Sequence, residues 1–164
     1  MVLVKTASIN KNTEDAEVSA ANTETPTNKG SRGLSGPAEA VGHAVGLMMA
    51  SPLHRHVFLS DLEWLLLPPI MMGQFRIFRK DGLPAAFASW AFVNEEVEAR
   101  LEGGGRLKPA EWRSGESMWL IDFVAPMGGE EAALKELCES VAKGRPLKTL
   151  RPSEDGKRSM VVEV

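Results

Sequence analysis

The stretch Met118-Trp119-Leu120-Ile121-Asp122-Phe123-Val124 is nearly continuous apolar sequence with one carboxylate set into it. A turn at Ser114-Gly115 precedes it and Pro126 closes it, the pattern of a β-strand covered on both faces. Such a strand needs elements above and below it, and the flanking sequence supplies them. Downstream, Glu130 to Lys143 places Ala133, Leu134, Leu137 and Val141 on one helical stripe, with acids in the first turn where the helix dipole favours them. Pro146 to Leu150 and Ser159 to Val164 read as closing strands. Upstream, alternation from Gln74 to Phe78, a turn at Asp81-Gly82 and an apolar run from Ala85 to Phe92 predict a hairpin. Glu95 to Leu101 reads as a short helix and Gly103-Gly104-Gly105 as a loop. Pro37 opens a segment whose Val41, Ala44, Val45, Met48 and Met49 fall at helical spacing, with Ser35 as its cap. Ser51-Pro52 ends that helix, because the residue before proline avoids the α region. Ser60-Asp61-Leu62-Glu63 has the spacing of a capping box and predicts a second helix, stopped by Pro68-Pro69. Helices, hairpin, central strand, helix and further strands make an α+β domain.

The 164 residues suffice for one such domain, in which about two-thirds of the unfolded chain's surface is buried. Residues 1–36 are polar and small, with almost no large apolar side chain between Lys5 and Leu34. They are expected to be a flexible tail, and 37–164 the folded domain. Twenty-two acids against 19 bases give a net charge of −3, too balanced to hold a polyanion by charge, so no nucleic-acid partner is expected. A lone Cys138 forms no internal disulfide and offers no paired spacing for zinc, which suits a reducing compartment. The apolar runs Trp64–Met72 and Met118–Ala125 fall far short of the roughly 20 residues that span a bilayer, so no transmembrane segment is expected. The opening Met1-Val2-Leu3-Val4-Lys5 turns polar at once, without the pattern of an export signal, and a cytoplasmic location is the expectation.

Asp122 breaks its surroundings most sharply. Burying a carboxylate between Ile121 and Phe123 costs several kcal/mol, on the order of the usual ion-desolvation penalty, unless it is paired or protonated. Backbone hydrogen bonds at a bulge or an arginine partner meet that need as readily as a catalytic role does. Of the three histidines, only His54 sits at a helix break with a serine three positions earlier. In Ser51-Pro52-Leu53-His54-Arg55 the two side chains share a face if the chain turns helically. Ser-x-x-His is by itself a common pairing. His43 and His56 read as surface and loop residues. Gly128-Gly129, between strand and helix, offers backbone amides to an anion, but a plain tight turn explains the pair and Glu130-Glu131 would repel one. Trp90, Trp112, Trp119 and Cys138 read as packed core.

Four blocks in order resemble one family. Gly42-His43-Ala44-Val45-Gly46-Leu47-Met48-Met49-Ala50-Ser51-Pro52-Leu53-His54-Arg55 is similar to the opening of the RTX toxin-activating lysine acyltransferases, the hemolysin-activator family, whose hallmark there is Ser-Pro-Leu-His-Arg. Pro84-Ala85-Ala86-Phe87-Ala88-Ser89-Trp90-Ala91 resembles its Pro-Val-Ala-Tyr-Cys-Ser-Trp-Ala stretch, and Trp112 with Ser114-Gly115 its Trp-x-Ser/Cys-Gly segment. Trp119-Leu120-Ile121-Asp122-Phe123-Val124-Ala125-Pro126 resembles its Trp-Phe-Ile-Asp-Trp-Ile-Ala-Pro block. The resemblance implies a GNAT-like acyltransferase fold, a mixed central sheet flanked by helices. It implies no bound cofactor, acyl-acyl-carrier protein as acyl donor, and an internal lysine of an RTX-type protoxin as acceptor. It makes His54 and Asp122 the catalytic pair, with Ser51 beside them, and leaves a homodimer open. Two departures stand out: Leu65 replaces an asparagine typical of the family's groove, and the domain looks shortened at its C-terminus. A lysine amine, with a solution pKa near 10.4, must lose a proton before it attacks a thioester, and His54 oriented by Asp122 suits that task. Met48, Met49, Leu65, Met71 and Met72 are candidates for lining an acyl groove. Two rivals use the same fold: a non-catalytic module that binds acyl-carrier protein or toxin, and a thioesterase-like enzyme in which water replaces the lysine.

Overall fold

A computed structural model describes residues 36–152 and 159–164. Apart from Gly36, the expected tail lies outside the described residues, as does the expected Ser35 cap. The first helix, α1, spans Pro37–Ala50 with proline at its start. It ends where Ser51 turns extended (φ −89°, ψ 125°) ahead of Pro52, as the proline rule requires. A 3₁₀ turn at Leu59–Asp61 leads into α2, Leu62–Leu65, and then α3, Leu67–Met72. Here the expectation of a helix stopped by Pro68-Pro69 is corrected. The prolines open α3, whose first positions need no amide hydrogen, and the break falls at Leu66 instead. No side-chain cap forms at the start of α2 either, and Asp61 Oδ1 accepts from the Trp64 indole at 3.1 Å.

Strand β1, Phe75–Lys80, and strand β2, Leu83–Val93, form the expected hairpin about Asp81-Gly82. Helix α4, Glu95–Glu102, follows, capped by Asn94, whose side chain accepts from Val97 N at 2.9 Å. Strand β3 is Ser117–Val124, helix α5 is Glu130–Leu137, and strands β4 and β5 are Leu147–Pro152 and Ser159–Glu163. The helical stripe predicted as far as Lys143 runs past α5 through a wider π turn, Cys138–Ala142. The five strands lie in the order β1-β2-β3-β4-β5, all neighbours antiparallel except β3 and β4, which α5 joins as a parallel pair. The mixed α+β architecture is therefore as expected.

Helices cover both faces of the sheet. Ala86, Ala88, Trp90, Met118 and Leu120 pack against Ala133, Leu134 and Leu137 of α5. The alternate residues Phe87 and Val124 pack against Ala44, Leu47 and Met48 of α1 with Leu66 and Ile70, and Ala91, Val93 and Trp119 against Val97 and Leu101 of α4 with Trp112. Two irregularities interrupt this order. Ser89 stands opposite Asp122, but its neighbour Trp90 stands opposite Leu120, so Ile121 is an extra residue in β3, a β-bulge. Leu120 consequently faces α5 while Val124 faces α1. The second irregularity is between β3 and β4, which pair only at Met118↔Leu147 and Trp119↔Lys148 before they diverge. Their apex is fastened by Glu98 of α4, whose Oε1 accepts from Ser117 Oγ at 2.7 Å, Trp119 Nε1 at 2.9 Å and Lys148 Nζ at 2.7 Å.

The Trp112–Gly115 segment closes against the end of β2, with Ser114 N and Gly115 N both donating to Phe92 O at 2.8 and 3.1 Å. A Cβ at Gly115 would run into the backbone of Val93 and Asn94. Gly115→Ala should therefore lower the melting temperature by about 5 °C or more, measured by circular dichroism, as expected of a clash with rigid backbone.

Candidate functional site

The turn that follows α1 is built from the Ser51 carbonyl, which accepts from His54 N at 3.2 Å and Arg55 N at 3.0 Å. This helix-like turn brings Ser51 and His54 onto one side, and Ser51 Oγ lies 2.8 Å from His54 Nδ1. On the ring's other edge, Nε2 lies 2.9 Å from Asp122 Oδ1, across 68 residues of sequence. All three residues singled out in the sequence thus meet in one hydrogen-bonded chain. The Asp122 side chain is 10% exposed, that of His54 17%, and Ser51 is buried. An ionised carboxylate only accepts, so Nε2–H donates to Asp122. In the neutral ring, Nδ1 then carries the lone pair and accepts from the Ser51 hydroxyl. The basic nitrogen of His54 is the one that faces Ser51.

The hydrogen bond that His54 donates to Asp122 raises the His54 pKa above its ordinary 6.5; burial opposes the rise, and the carboxylate's charge adds to it. Glu98, at the apex, is opposed by its own burial, yet the hydrogen bonds from Lys148, Ser117 and Trp119 hold it below the ordinary 4.5.

The divergence of β3 from β4 opens a cleft of about 540 Å³, lined by Ser51, His54, Leu120, Asp122, Glu130 and Thr149 among others. Thr149 Oγ1 bridges to Leu120 O at 3.2 Å inside it. A smaller apolar pocket of about 130 Å³ lies on the other side, formed by Val45, Met48, Met49, Val57, Leu59 and Leu62 with Arg55. His54 lines both cavities, a cleft of mixed polar and apolar lining and a largely apolar pocket.

Of the groove candidates, Met48 and Met49 line the pocket, while Leu65, Met71 and Met72 line neither cavity. Leu65 packs into the α1 cluster, Met72 into the cluster around Trp119, and Met71 is exposed. Gly128 N donates to Ala125 O at 3.1 Å, so that amide is used in the turn. His43 lies on α1, 3.7 Å from Glu39. Trp90, Trp112 and Trp119 are buried core, as expected. Sequence reasoning missed Gln74, almost fully buried, whose amide donates to Trp90 O at 3.0 Å and Trp112 O at 2.9 Å while its oxygen accepts from Arg113 at 2.6 Å. It also missed Ser89, buried opposite Asp122. A polar residue at a strand edge and a serine in an alanine-rich strand carry no signal by themselves.

A mixed sheet split around a Ser-His-Asp chain is an arrangement suited to proton transfer and group transfer. Residues 36–164 match the RTX toxin acyltransferase family, and the chain belongs to it. The leukotoxin-activating lysine-acyltransferase LtxC of Aggregatibacter actinomycetemcomitans is 36% identical over 122 residues, covering 73% of each chain. The RTX-I toxin-activating lysine-acyltransferase ApxIC of Actinobacillus pleuropneumoniae is 39% identical over 100 residues, 60% of this chain and 58% of that one. The protein-lysine myristoyltransferase HlyC of Escherichia coli is 36% identical over 100 residues, 60% of this chain and 59% of its own length. Among the described residues, no helix is long and apolar enough to cross a membrane.

The raised His54 pKa fixes the sign of a pH effect. Protonation stabilises the fold fully below about 6.5, the unfolded value, and this contribution is lost as pH rises through the higher folded value. Asp122→Asn removes the cause, so the His54 midpoint followed by imidazole NMR should fall below that of the parent protein, and the loss of stability across that window should vanish with it.

Proposed function

We propose that this chain is a protein-lysine acyltransferase that moves a fatty acyl group from acyl-carrier protein to an internal lysine of an RTX-type protoxin. The observation that carries the reading is the Ser51–His54–Asp122 chain at a cleft in a member of this family. On this reading the lysine enters by the cleft that holds Asp122, and the acyl chain lies in the apolar pocket that His54 also lines, so that the thioester carbonyl rests against the ring. His54, its Nε2–H fixed on Asp122, takes up the proton that the lysine ammonium must lose. Ser51 stands between that proton and Nδ1: its hydroxyl hands its own proton to the ring and accepts the one from the amine. The neutral amine then attacks the thioester carbon, the carbon–sulfur bond breaks, and the proton on the imidazolium leaves with the thiolate; the second proton, which the nitrogen must lose as the amide forms, passes to the freed His54 by the same path and from there to water. No cofactor beyond the acyl donor enters this scheme. It is placed in the cytoplasm, where acyl-carrier protein is found; a homodimer is compatible with it.

The bond between Ser51 and the basic nitrogen favours one second reading, attack by Ser51 itself to form an acyl-serine.

Acyl-carrier protein charged with a labelled fatty acyl group, incubated with this protein with and without an RTX protoxin, tests the function. Label on a protoxin lysine is expected. Release of free fatty acid alone would point to a thioesterase, and capture of the donor without turnover to a binding module. His54→Ala should lower transfer by roughly 10²–10⁴-fold, Asp122→Asn should approach that loss, and Ser51→Ala should cost far less, because a water molecule can take the place of the lost hydroxyl in the relay. Ser51→Ala as damaging as His54→Ala, together with a trapped acyl-enzyme in the parent, would establish the acyl-serine route. Met49→Trp, which fills the apolar pocket, should shift donor preference to shorter acyl chains, read by competition between donors of two lengths.

A further inference from the structure

Two buried polar atoms at the heart of the site have no hydrogen-bond partner: Oδ2 of Asp122 and Oγ of Ser89. They belong to residues directly opposite each other in the β2–β3 pairing, with side chains on the same face of the sheet. The coincidence is informative, because an unsatisfied buried polar atom is uncommon and costly, and here a lone acceptor faces a lone donor. Oδ2 is enclosed, so substrate does not reach it, and Oδ1 is already taken by His54. Ser89 is fully buried, and its neighbours on that face are apolar: Phe75 opposite it in β1, Phe87 along β2 and Val124 along β3. As the side chains stand the two oxygens are not in hydrogen-bonding geometry, and a turn of the Ser89 side chain about χ1 is what brings the hydroxyl to the acceptor. The bulge at Ile121 sets Asp122 in register with Ser89 at just this point.

We propose that Ser89 is a positioning residue: with its side chain turned toward β3, its hydroxyl donates to Oδ2 of Asp122 and holds the carboxylate in place against His54. This rests on the reading that His54 and Asp122 act as a pair. Ser89 touches no substrate and works through Asp122. Its donation spreads the carboxylate's charge over two partners, so that His54 feels less than the whole of it. Other charged groups near the ring are Arg55, which lines the apolar pocket with it, and Glu130, which lines the cleft from α5.

The test uses the full chain and needs no acyl donor for its first two measurements. Removing the donor in Ser89→Ala leaves Oδ2 uncompensated, and His54 then gains more from its own proton. Its midpoint, followed by imidazole NMR, should rise by about half a unit to one unit. Melting temperature gives an independent sign. An idle buried hydroxyl would make Ser89→Ala neutral or stabilising, whereas a hydroxyl bonded to a carboxylate should make it melt about 2–5 °C lower. Ser89→Cys keeps the shape at a somewhat larger volume with a weaker donor and should fall between parent and Ser89→Ala in midpoint; it carries that measurement if Ser89→Ala is too unstable to titrate. With acyl donor and protoxin, the acid limb of the pH–rate profile should move up with the midpoint, lowering transfer about threefold to tenfold below it while leaving the plateau at higher pH. A His54 midpoint unchanged within about 0.2 units, with a melting temperature equal or higher, would overturn the proposal. The titration and melting results stand whether or not the parent protein proves to transfer acyl groups, so failure of the proposed function would not be mistaken for failure of this one.

Discussion

A carboxylate in the middle of a central strand is a constraint that propagates through the whole domain. Asp122 gives up several kcal/mol of hydration on the order of the usual buried-ion penalty, and a partner must be brought to it from elsewhere in the chain. His54 is that partner at 2.9 Å, and every element between them has to cooperate. Ala44, Leu47 and Met48 seat α1 on Phe87 and Val124, which fixes where the helix ends. Pro52 ends it there and throws the chain into the turn that faces Ser51 and His54 toward the sheet. The bulge at Ile121 puts Asp122 in register with Ser89, one position out of step with the alternation that seats Leu120 against α5. Without the bulge, strict alternation would set Asp122 on the same face as Leu120, among the apolar residues under α5.

The split between β3 and β4 is the second half of the design. A parallel pair joined by a helix would normally extend along the whole strand, yet here pairing ends after Trp119. The separation is confined because Glu98 gathers donors from both strands at the apex, so the cleft begins at a defined point next to Leu120 and Asp122. Glu98 thereby connects α4, which touches neither cavity, to the width of the cleft at His54.

How much of this was legible before the fold was known depends on the range over which each signal acts. The hairpin, the central strand and the helix after it were readable, because turn residues and apolar periodicity are local. Ser51, His54 and Asp122 were legible because each breaks a local pattern, and the ordered blocks around them narrowed the family. The bulge was not, since a strand covered on both faces has no alternation for an extra residue to disturb. Pro68-Pro69 misled for a related reason: proline ends a helix and opens one with equal ease, and only the position of Leu66, fully buried against α1, decides between the two. Glu98 and Gln74 act through partners far away in sequence, and a lone polar residue gives no sign of the company it keeps.

On the proposed reading, the place of the His54 ring between two unlike cavities bears on how transfer is kept apart from hydrolysis. A chain held in the apolar pocket would cover one side of the ring and leave the thioester open only toward the cleft. Any nucleophile must then arrive by the cleft, where the same basic nitrogen serves an amine or a water molecule equally. The catalytic residues cannot discriminate between the two. Discrimination has to come from whatever fills the cleft, and an acceptor segment that occupies it both presents its lysine and excludes the competing water. Acceptor recognition and suppression of hydrolysis would therefore be one and the same contact, made along the edge of β3 that the split from β4 leaves exposed.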